Sequence, residues 1–444
     1  MNIGDQQLSL AKKSTDYIKE LLKNNIDTSS NPFTYFSCWA ESLGRCKILQ
    51  LQGNLNFFYF IKIIIKELWG SYNHSSYKLI NTEKLKNFSK IIVTSGYKIN
   101  FLKNGSIFDS YFKTNSREIS DTLWFVLYFD KKIPNKIDKN IILIKKDDNK
   151  INLKNFIKIF KGIAFDKSKL KQKLCSVNSK TFFGKTLLKL INKYLMSEHL
   201  KTVIMPYEGQ PFQQMIFSFL HHQNKKIKTI GYVHDVNPIN FHYQFRKGSP
   251  LKLLIHSKNH IQYFSKYLNW PRKRLKLIPS LSFRKNKNPE ISDGMILLPD
   301  FIYNEKKILT VFEEFLNLSQ EKNLIRPKVR IHPRSFRIDI QLKLKSSLEI
   351  LLKKYKRKFS KKKLKKKTII VIGESSAVVL GLEKGMNVIH ICFDPIFQSF
   401  SNKIWPSIIV NQISENIFAY KLKVKGKALK FGNERRMLTK YCGI

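Results

Sequence analysis

Cysteine is scarce in this chain of 444 residues, which has five, at Cys38, Cys46, Cys175, Cys392 and Cys442. None stands in a CxxC or Cys/His spacing, so no zinc-ribbon or finger motif is present. An odd, thinly spread set also argues against a disulfide framework and for a reduced, cytosolic compartment. Glycine (18) and proline (14) are too few for a large fraction of flexible linker. Long apolar runs are missing as well. The most apolar stretch, Phe57–Ile65 (FFYFIKIII), is interrupted by Lys62 and has nine residues, against the ~20 needed to cross a bilayer. The first residues, MNIGDQQLSLAKK, lack the basic-then-apolar order of a secretory leader. Any membrane contact is therefore expected to be peripheral. Acidic residues are few too, 32 against 81 Lys and Arg, which leaves a formal net charge of +49.

Apolar material is plentiful. With 43% hydrophobic and 13% aromatic residues, the chain can bury sizeable cores, and its length calls for two domains. The charge invites a nucleic-acid reading, but no helix-turn-helix, zinc-finger or RRM signature accompanies it, and no nucleic-acid partner is expected. Lys, Ile and Asn run high throughout, as in Lys139–Lys154 (KNIILIKKDDNKINLK). A general compositional bias is the favoured reading, with selection for an anionic lipid or glycan second. The densest tract is Lys353–Lys367 (KKYKRKFSKKKLKKK), with 11 basic residues in 15. It reads either as a solvated helix end and loop or as a contact with lipid head groups or a polyanionic acceptor.

No internal repeat is visible. The first 90 residues read as helical, with a loop around Asp27–Pro32. Strand-like runs follow at Ile91–Thr94, Trp124–Phe129, Ile141–Ile144, Thr202–Met205, Thr229–Val233 and Leu253–His256. Several are continuously apolar, as buried parallel strands are. Helical patterns at Phe212–His222 and Asn259–Leu268 lie between the later ones, the second stopped by Pro271. A polar stretch, Phe283–Gly294 (FRKNKNPEISDG), reads as an interdomain linker. A second α/β set is expected beyond it. Its strands are Met295–Leu298, Lys328–His332, Thr368–Ile372 and Asn387–Cys392, and its helices Lys306–Gln320, Ile340–Tyr355 and Ser376–Lys384. The stretch after Gln412 reads as helical, then basic. The fold class expected is α/β, with two Rossmann-like doubly wound domains (1–285 with a helical N-terminal extension, and 290–412) facing across a cleft. The tail, 413–444, is expected to return to the first domain.

Four segments could carry chemistry, each at a strand's carboxyl end, where open parallel sheets bind ligands. The first is Pro206-Tyr207-Glu208-Gly209-Gln210. Glu208 could take a proton from an attacking hydroxyl, or it could cap the next helix. The second is Val329-Arg330-Ile331-His332-Pro333-Arg334, in which His332 between Arg330 and Arg334 could clamp a phosphate and ribose, with Pro333 fixing the turn. The third, IIVIGESS at 369–376, places Gly373 and the hydroxyls of Ser375 and Ser376 before a short helix, as a phosphate site or as ordinary N-capping. A serine-hydrolase elbow is excluded, because no Gly follows the serine. The fourth is Gly231-Tyr232-Val233-His234-Asp235. His234 could line the cleft with Glu208, or pair structurally with Asp235, the reading favoured here. His221 and His222, at a helix end, read as C-terminal capping groups.

In order and type, the Glu-Gly turn, the His-Pro pair and the Ser-Ser pair resemble the acidic, His-Pro and Ser/Thr motifs of GT-B bacterial sialyltransferases and polysialyltransferases. Kdo transferases of capsule synthesis and CDP-glycerol polyol-phosphate transferases look similar in the last two. Bacterial surface-carbohydrate biosynthesis proteins are similar through Tyr207-Glu208-Gly209-Gln210 and Asn269-Trp270-Pro271 with Ile278-Pro279-Ser280-Leu281. The resemblance covers about 200–395. It implies an inverting, metal-independent glycosyltransferase that uses a nucleotide-activated sugar, of the CMP-sialic acid or Kdo kind, to build a surface polysaccharide such as a capsule. No cofactor or metal is implied beyond the nucleotide sugar as co-substrate. In this reading Glu208 is the general base, His332 contacts the donor phosphate, and Ser375 and Ser376 hold that phosphate. Pro333, Arg330, Arg334 and Gly373 complete the donor side, and Tyr207, Gly209, Gln210 and His234 line the acceptor cleft. Tyr207 departs from the family pattern, which has an acidic residue there. The acceptor implied is a glycan or lipid-linked glycan, met in the cytoplasm at the inner face of the membrane, with the Lys353–Lys367 tract touching its anionic surface. The alternatives are a CDP-polyol phosphotransferase building a teichoic-acid-like polymer and a non-catalytic basic binding protein.

Overall fold

A computed structural model describes residues 2–23, 76–82, 87–119, 121–147, 179–223, 226–239, 243–284, 291–300, 302, 304–319, 324–325, 327–332, 338–360, 367–432 and 437–442. The helices are α1 (Ile3–Lys23), α2 (Ser179–Leu195), α3 (Pro211–His222), α4 (Lys258–Tyr267), α5 (Glu305–Leu318), α6 (Ile338–Lys354), α7 (Ala377–Glu383), α8 (Pro395–Gln398) and α9 (Met437–Cys442).

The first sheet is built from β1 (Tyr77–Ile80), β2 (Lys90–Gly96), β3 (Thr122–Tyr128), β4 (Ile141–Lys146), β5 (Thr202–Pro206), β6 (Lys228–Tyr232), β7 (Lys252–Ile255) and β8 (Leu275–Leu277). Its order is β1-β4-β3-β2-β5-β6-β7-β8, and only the edge strand β1 runs antiparallel, against β4. β3 is buried at every position, and its residues alternate between two cores. Leu123, Phe125 and Leu127 pack into one, Trp124, Val126 and Tyr128 into the other. A strand covered on both faces needs apolar residues at both parities, which is why TLWFVLY shows no alternation.

After β9 (Ser280–Arg284) comes a second sheet. It comprises β10 (Met295–Leu297), β12 (Lys328–Arg330), β14 (Thr368–Ile372), β15 (Asn387–Ile391), β16 (Ile408–Ser414) and β17 (Ile417–Leu422), in the order β12-β10-β14-β15-β17-β16. The short β11 (Leu324–Ile325) and β13 (Phe359–Ser360) pair with each other, and β18 (Phe431–Gly432) pairs with β9. The strands β10, β12, β14 and β15 are parallel, while β17 and β16 turn antiparallel. The chain is thus mixed α/β, with two parallel-rich sheets. One apolar cluster runs continuously from the first sheet, through Phe264 and Trp405, to Ile369 and Val371 of the second.

Three expectations need correction. The stretch around and just beyond Gln412, through Leu422, is a β-hairpin rather than a helix, and the helix α9 comes only at Met437–Cys442. IIVNQIS and IFAYKL are rich in β-branched and aromatic residues, and β15 offers an edge to complete. Within the supposedly helical first 90 residues, Tyr77–Ile80 and the start of β2 are strand; residues 24–75 lie outside the described set. The polar 283–294 stretch is not all linker either. Phe283 belongs to β9, and at its far end Gly294 N donates to Thr368 O while Asp293 accepts from Thr368 N; residues 285–290 are not described. Lys361–Lys366, within the basic tract, also lie outside the described residues, as do Cys38, Cys46 and Cys175. Cys392 and Cys442 are free and buried. Among the described residues no helix is long and apolar enough to cross a membrane, and no acidic/His/Cys group is arranged to hold a metal.

Three fully buried histidines set the acid response of this core. Burial lowers the pKa of His256 and His260 from the ordinary 6.5 to about 3, and that of His390 to about 4. Their folded pKa values lie below the unfolded one. Below pH 6.5 the unfolded chain therefore binds protons that the native state refuses. Each histidine contributes stability that is whole above pH 6.5 and is lost as pH falls towards 4 and then 3, by about 1.4 kcal/mol per pH unit. Acid unfolding followed by circular dichroism should begin below pH 6.5. His260→Phe, whose ring can keep the stack on Phe264 and the edge contact with Trp405, should move the transition to lower pH. An unchanged midpoint would remove His260 from this account.

Candidate functional site

The carboxyl edge of the first sheet gathers the first set of polar groups. Tyr207 N still bonds Tyr232 O at 2.8 Å, extending the β5–β6 ladder by one residue. Glu208 then emerges half-buried, and Gly209 turns the chain at φ +65°, a region that costs an L-residue strain. Pro211 opens α3. Gln213 holds this loop: its Oε1 accepts from both Glu208 N and Gln210 N at 2.9 Å, and its Nε2 donates to Pro206 O.

That arrangement leaves the Glu208 carboxylate facing other side chains. Oε1 lies 3.3 Å from His234 Nε2, and Oε2 accepts from Gln210 Nε2 at 2.8 Å. His234 stands at the end of β6, with its ring edge-on to Tyr111 at 4.6 Å, and the Tyr111 hydroxyl meets Ser95 Oγ at 2.9 Å. The favoured pairing of His234 with Asp235 is therefore corrected: the partner of His234 is Glu208. Asp235 instead accepts from Asn237 Nδ2 at 2.7 Å and from the Tyr243 hydroxyl at 3.1 Å. Burial raises the pKa of Asp235; His234 opposes the shift and the nearby Glu208 charge adds to it. His256, at the end of β7, completes this edge.

Tyr207, expected along the cleft, is fully buried. Its ring packs against Phe217, Tyr243 and Trp270, and its hydroxyl accepts from Gln214 Nε2. Its position follows from strand alternation: it points to the face opposite Glu208. Gly209 is buried too, its carbonyl accepting from Arg246 at 2.8 Å. His222 Nδ1 meets Ser218 O at 2.6 Å in the last turn of α3, and His221 Nε2 meets Thr229 Oγ1 at 3.0 Å.

A second set forms at the carboxyl edge of the other sheet. His332, just past β12, lies with Nδ1 3.4 Å from Asp300 Oδ1, beyond β10. Gln341 of α6 ties the two loops together: its Oε1 accepts from His332 N at 2.9 Å, and its Nε2 donates to Pro299 O. Gly373, past β14, sits in the same corner at φ +66°. A Cβ there would come within 3.2 Å of Pro299 and 2.9 Å of Phe393, so no side chain fits. The Gly373 carbonyl accepts from His390 Nε2 at 2.7 Å, while His390 Nδ1 meets the Tyr420 hydroxyl at 3.4 Å. Arg330 ends β12, half-buried. Pro333 and Arg334 lie outside the described residues.

Ser375 and Ser376 are partly exposed. Ser375 Oγ accepts from Ala377 N at 3.2 Å, as a capping serine does, and α7 behind it has only seven residues. The hydroxyls and Gly373, rather than a long helix dipole, are what this turn offers a ligand.

The structure thus brings Glu208, Gln210 and His234 together on one sheet, and His332 and Gly373 around Asp300 and Pro299 on the other. Beyond His234, Pro238 O accepts from Trp405 Nε1 at 2.9 Å, and Asn259 Nδ2 donates to Ser407 Oγ at 2.6 Å. Asp300 was missed in the sequence, as were three glutamines in a common role: Gln213, Gln341 and Gln398, the last accepting from Phe393 N at 2.9 Å and Asp394 N at 3.1 Å. Each is nine-tenths or more buried. A Gln on the inward face of a helix that follows a strand-end loop is the signal that could have revealed them.

No family model matches this chain, and no curated protein matches it. Among solved structures, it is similar to the crystal structure of a glycosyltransferase from Rickettsia africae ESF-5, with a TM-score of 0.32 and 11% identity, over 71% of this chain and 86% of that one.

Proposed function

We propose that this chain is an inverting, metal-independent glycosyltransferase, with acceptor bound mainly by the first sheet's unit and a nucleotide-sugar donor by the second's. The observation that carries the reading is the state of Glu208. Its carboxylate is not engaged in capping α3 but is oriented by Gln210 and His234 at a strand's carboxyl end. In this reading Glu208 takes the proton of the acceptor hydroxyl as that oxygen bonds to the anomeric carbon. The bond from that carbon to the donor phosphate breaks, and the electron pair leaves with the nucleotide. His332, Arg330, Gly373, Ser375 and Ser376 meet the departing phosphate's charge. Closure of the two halves would exclude water. A CMP-activated acidic sugar is the proposed donor class, and a surface glycan, free or lipid-linked, the acceptor. The His332–Asp300 and His234–Glu208 pairs also suit a second reading, a CDP-polyol phosphotransferase. There an imidazole backed by a carboxylate would act directly on the reacting groups, and the product would contain phosphodiester links.

Thermal unfolding in the presence of CMP, CDP, UDP and GDP tests the reading. A ligand at a hundred times its Kd stabilises the native state by about 2.7 kcal/mol. CMP is expected to raise the melting temperature by several degrees, whereas selective stabilisation by CDP would favour the polyol reading. His332→Ala removes one charge-assisted contact and should weaken nucleotide binding by about tenfold or more. No shift with any of the four nucleotides would overturn the donor-binding assignment, and unchanged affinity in His332→Ala would remove the histidine from it.

A further inference from the structure

A surface outside both polar sets carries an apolar tip ringed by positive charge. It is built from the segments that leave β2 and β3. These strands pair in parallel with Gly96 opposite Tyr128, so the following residues emerge side by side. The rings of Tyr97 and Phe129 lie 5.6 Å apart, Phe129 N donates to Gly96 O at 3.3 Å, and Lys98 N donates to the Asp130 carboxylate at 2.5 Å. The Phe101 ring meets Tyr128 at 6.0 Å. The Tyr128 hydroxyl donates to Lys132 O at 2.5 Å, and Lys145 Nζ donates to Lys131 O. The two loops are thus anchored to each other and to the sheet beneath them.

What they present outward is unusual for a loop. Ile99 is 90% exposed and Phe129 60%, with Leu102 at 45% and Ile133 at 41%. One exposed apolar side chain needs no explanation, but four on two pinned loops form a patch. Lys98, Lys103, Lys131 and Lys132 are exposed on the same two loops, and the carboxylate next to Phe129, that of Asp130, already accepts from a backbone N–H. Apolar tips that can enter the interfacial layer of a bilayer, surrounded by lysines that meet anionic head groups, are the combination peripheral membrane proteins use.

We propose that this edge docks on an anionic lipid surface, with Ile99 and Phe129 entering the head-group layer and the four lysines meeting lipid phosphates. Charge complementarity selects this occupant, since a second copy of a chain with a net charge of +49 would be repelled from the same ring of lysines. The patch shares an edge with the Glu208–His234 pair, as Tyr111 bridges Ser95 at the end of β2 to the His234 ring. Docking here would bring that edge to the membrane. The inference stands on the surface itself, whatever reaction the site performs.

Co-sedimentation with vesicles tests it, using phosphatidylcholine alone and phosphatidylcholine mixed with phosphatidylglycerol. The full chain is expected to pellet with the mixed vesicles, less so in high salt, and to remain in the supernatant with the neutral ones. Because so basic a chain could bind anionic vesicles by many faces, the deciding arms remove apolar groups and leave the charge intact. The double variant Ile99→Ser/Phe129→Ser should lower the partition coefficient roughly tenfold or more. The control Leu342→Ser/Ile350→Ser, on exposed positions of α6 beside the basic tract, should pellet as the parent does. Equal pelleting of parent and first variant, loss in the α6 variant alone, or no pelleting of the parent would each overturn the proposal. Both substitutions are at exposed positions, and unchanged circular dichroism would confirm that the variants fold.

Discussion

Glu208→Gln is expected to reduce glycosyl transfer by about a thousandfold, within the range a positioned general base supplies, while leaving nucleotide affinity near that of the parent. The substitution is close to isosteric. A Gln can still accept from Gln210 Nε2 through its carbonyl oxygen while its amide NH2 takes the place of the oxygen that faces His234, and the bonds from Gln213 to the backbone are untouched, so the loop should keep its shape. What disappears is the ability to take a proton. Single-turnover measurements with saturating donor and acceptor would isolate this step. Turnover close to the parent's would sink the assignment and send attention to the buried carboxyl of Asp235, whose protonated form burial favours. A loss of nucleotide binding equal to the loss of turnover would mean that the loop itself had been disturbed.

How much of this could be read in the chain depended on whether the signal was local. The strand Thr368–Ile372 and its neighbours were legible because a buried parallel strand is apolar at successive positions, and a run of four such residues, Ile369–Ile372, between polar turns has few other readings. Strand-end polar residues such as Glu208 and His332 were legible for the same reason: the end of the apolar run marks where the chain leaves the core. The hairpin of β16 and β17 was not. Its residues alternate weakly, and its strand state depends on pairing with β15, a partner the local sequence does not announce. Side-chain partnership was hidden in the same way. His234 stands next to Asp235 in sequence, yet adjacent residues at a strand's end point apart, whereas Glu208, on the neighbouring strand, lies within 3.3 Å. Tyr207 was taken for a cleft residue from its place in a motif. Its alternation with Glu208 required the opposite face, and the aromatic wall of Phe217, Tyr243 and Trp270 there comes from three separate segments.

The largest stability effect is expected at a carboxylate that no motif marks. Glu383, the last residue of α7, is 1% exposed. Its two oxygens accept three backbone N–H groups of the tail: Gly426 at 2.5 Å, Ala428 at 3.0 Å and Leu429 at 2.9 Å. Immediately beyond, Lys430 N donates to His256 O at 3.0 Å, Ser280 N donates to Lys430 O at 2.7 Å, and Phe431 pairs with Ser280. One side chain on the second sheet's unit thus fixes the segment that reaches back to the end of β7. Glu383→Ala would leave the two buried donors, Ala428 N and Leu429 N, without an acceptor, each costing about 1–3 kcal/mol, and would release the exposed Gly426 N to water. Partial relaxation should hold the total near 3–5 kcal/mol. Glu383→Gln should be nearly as costly, because its amide group turns a donor towards N–H groups that need an acceptor. Both variants should melt well below the parent and be cleaved faster by protease within residues 423–432. If the tail keeps its resistance and the melting temperature holds, these three hydrogen bonds are not what ties the tail down. The contrast with Glu208 is physical. One carboxylate accepts three backbone donors in the interior and holds structure, while the other is oriented by two side chains in a half-exposed place, as the proposed base requires.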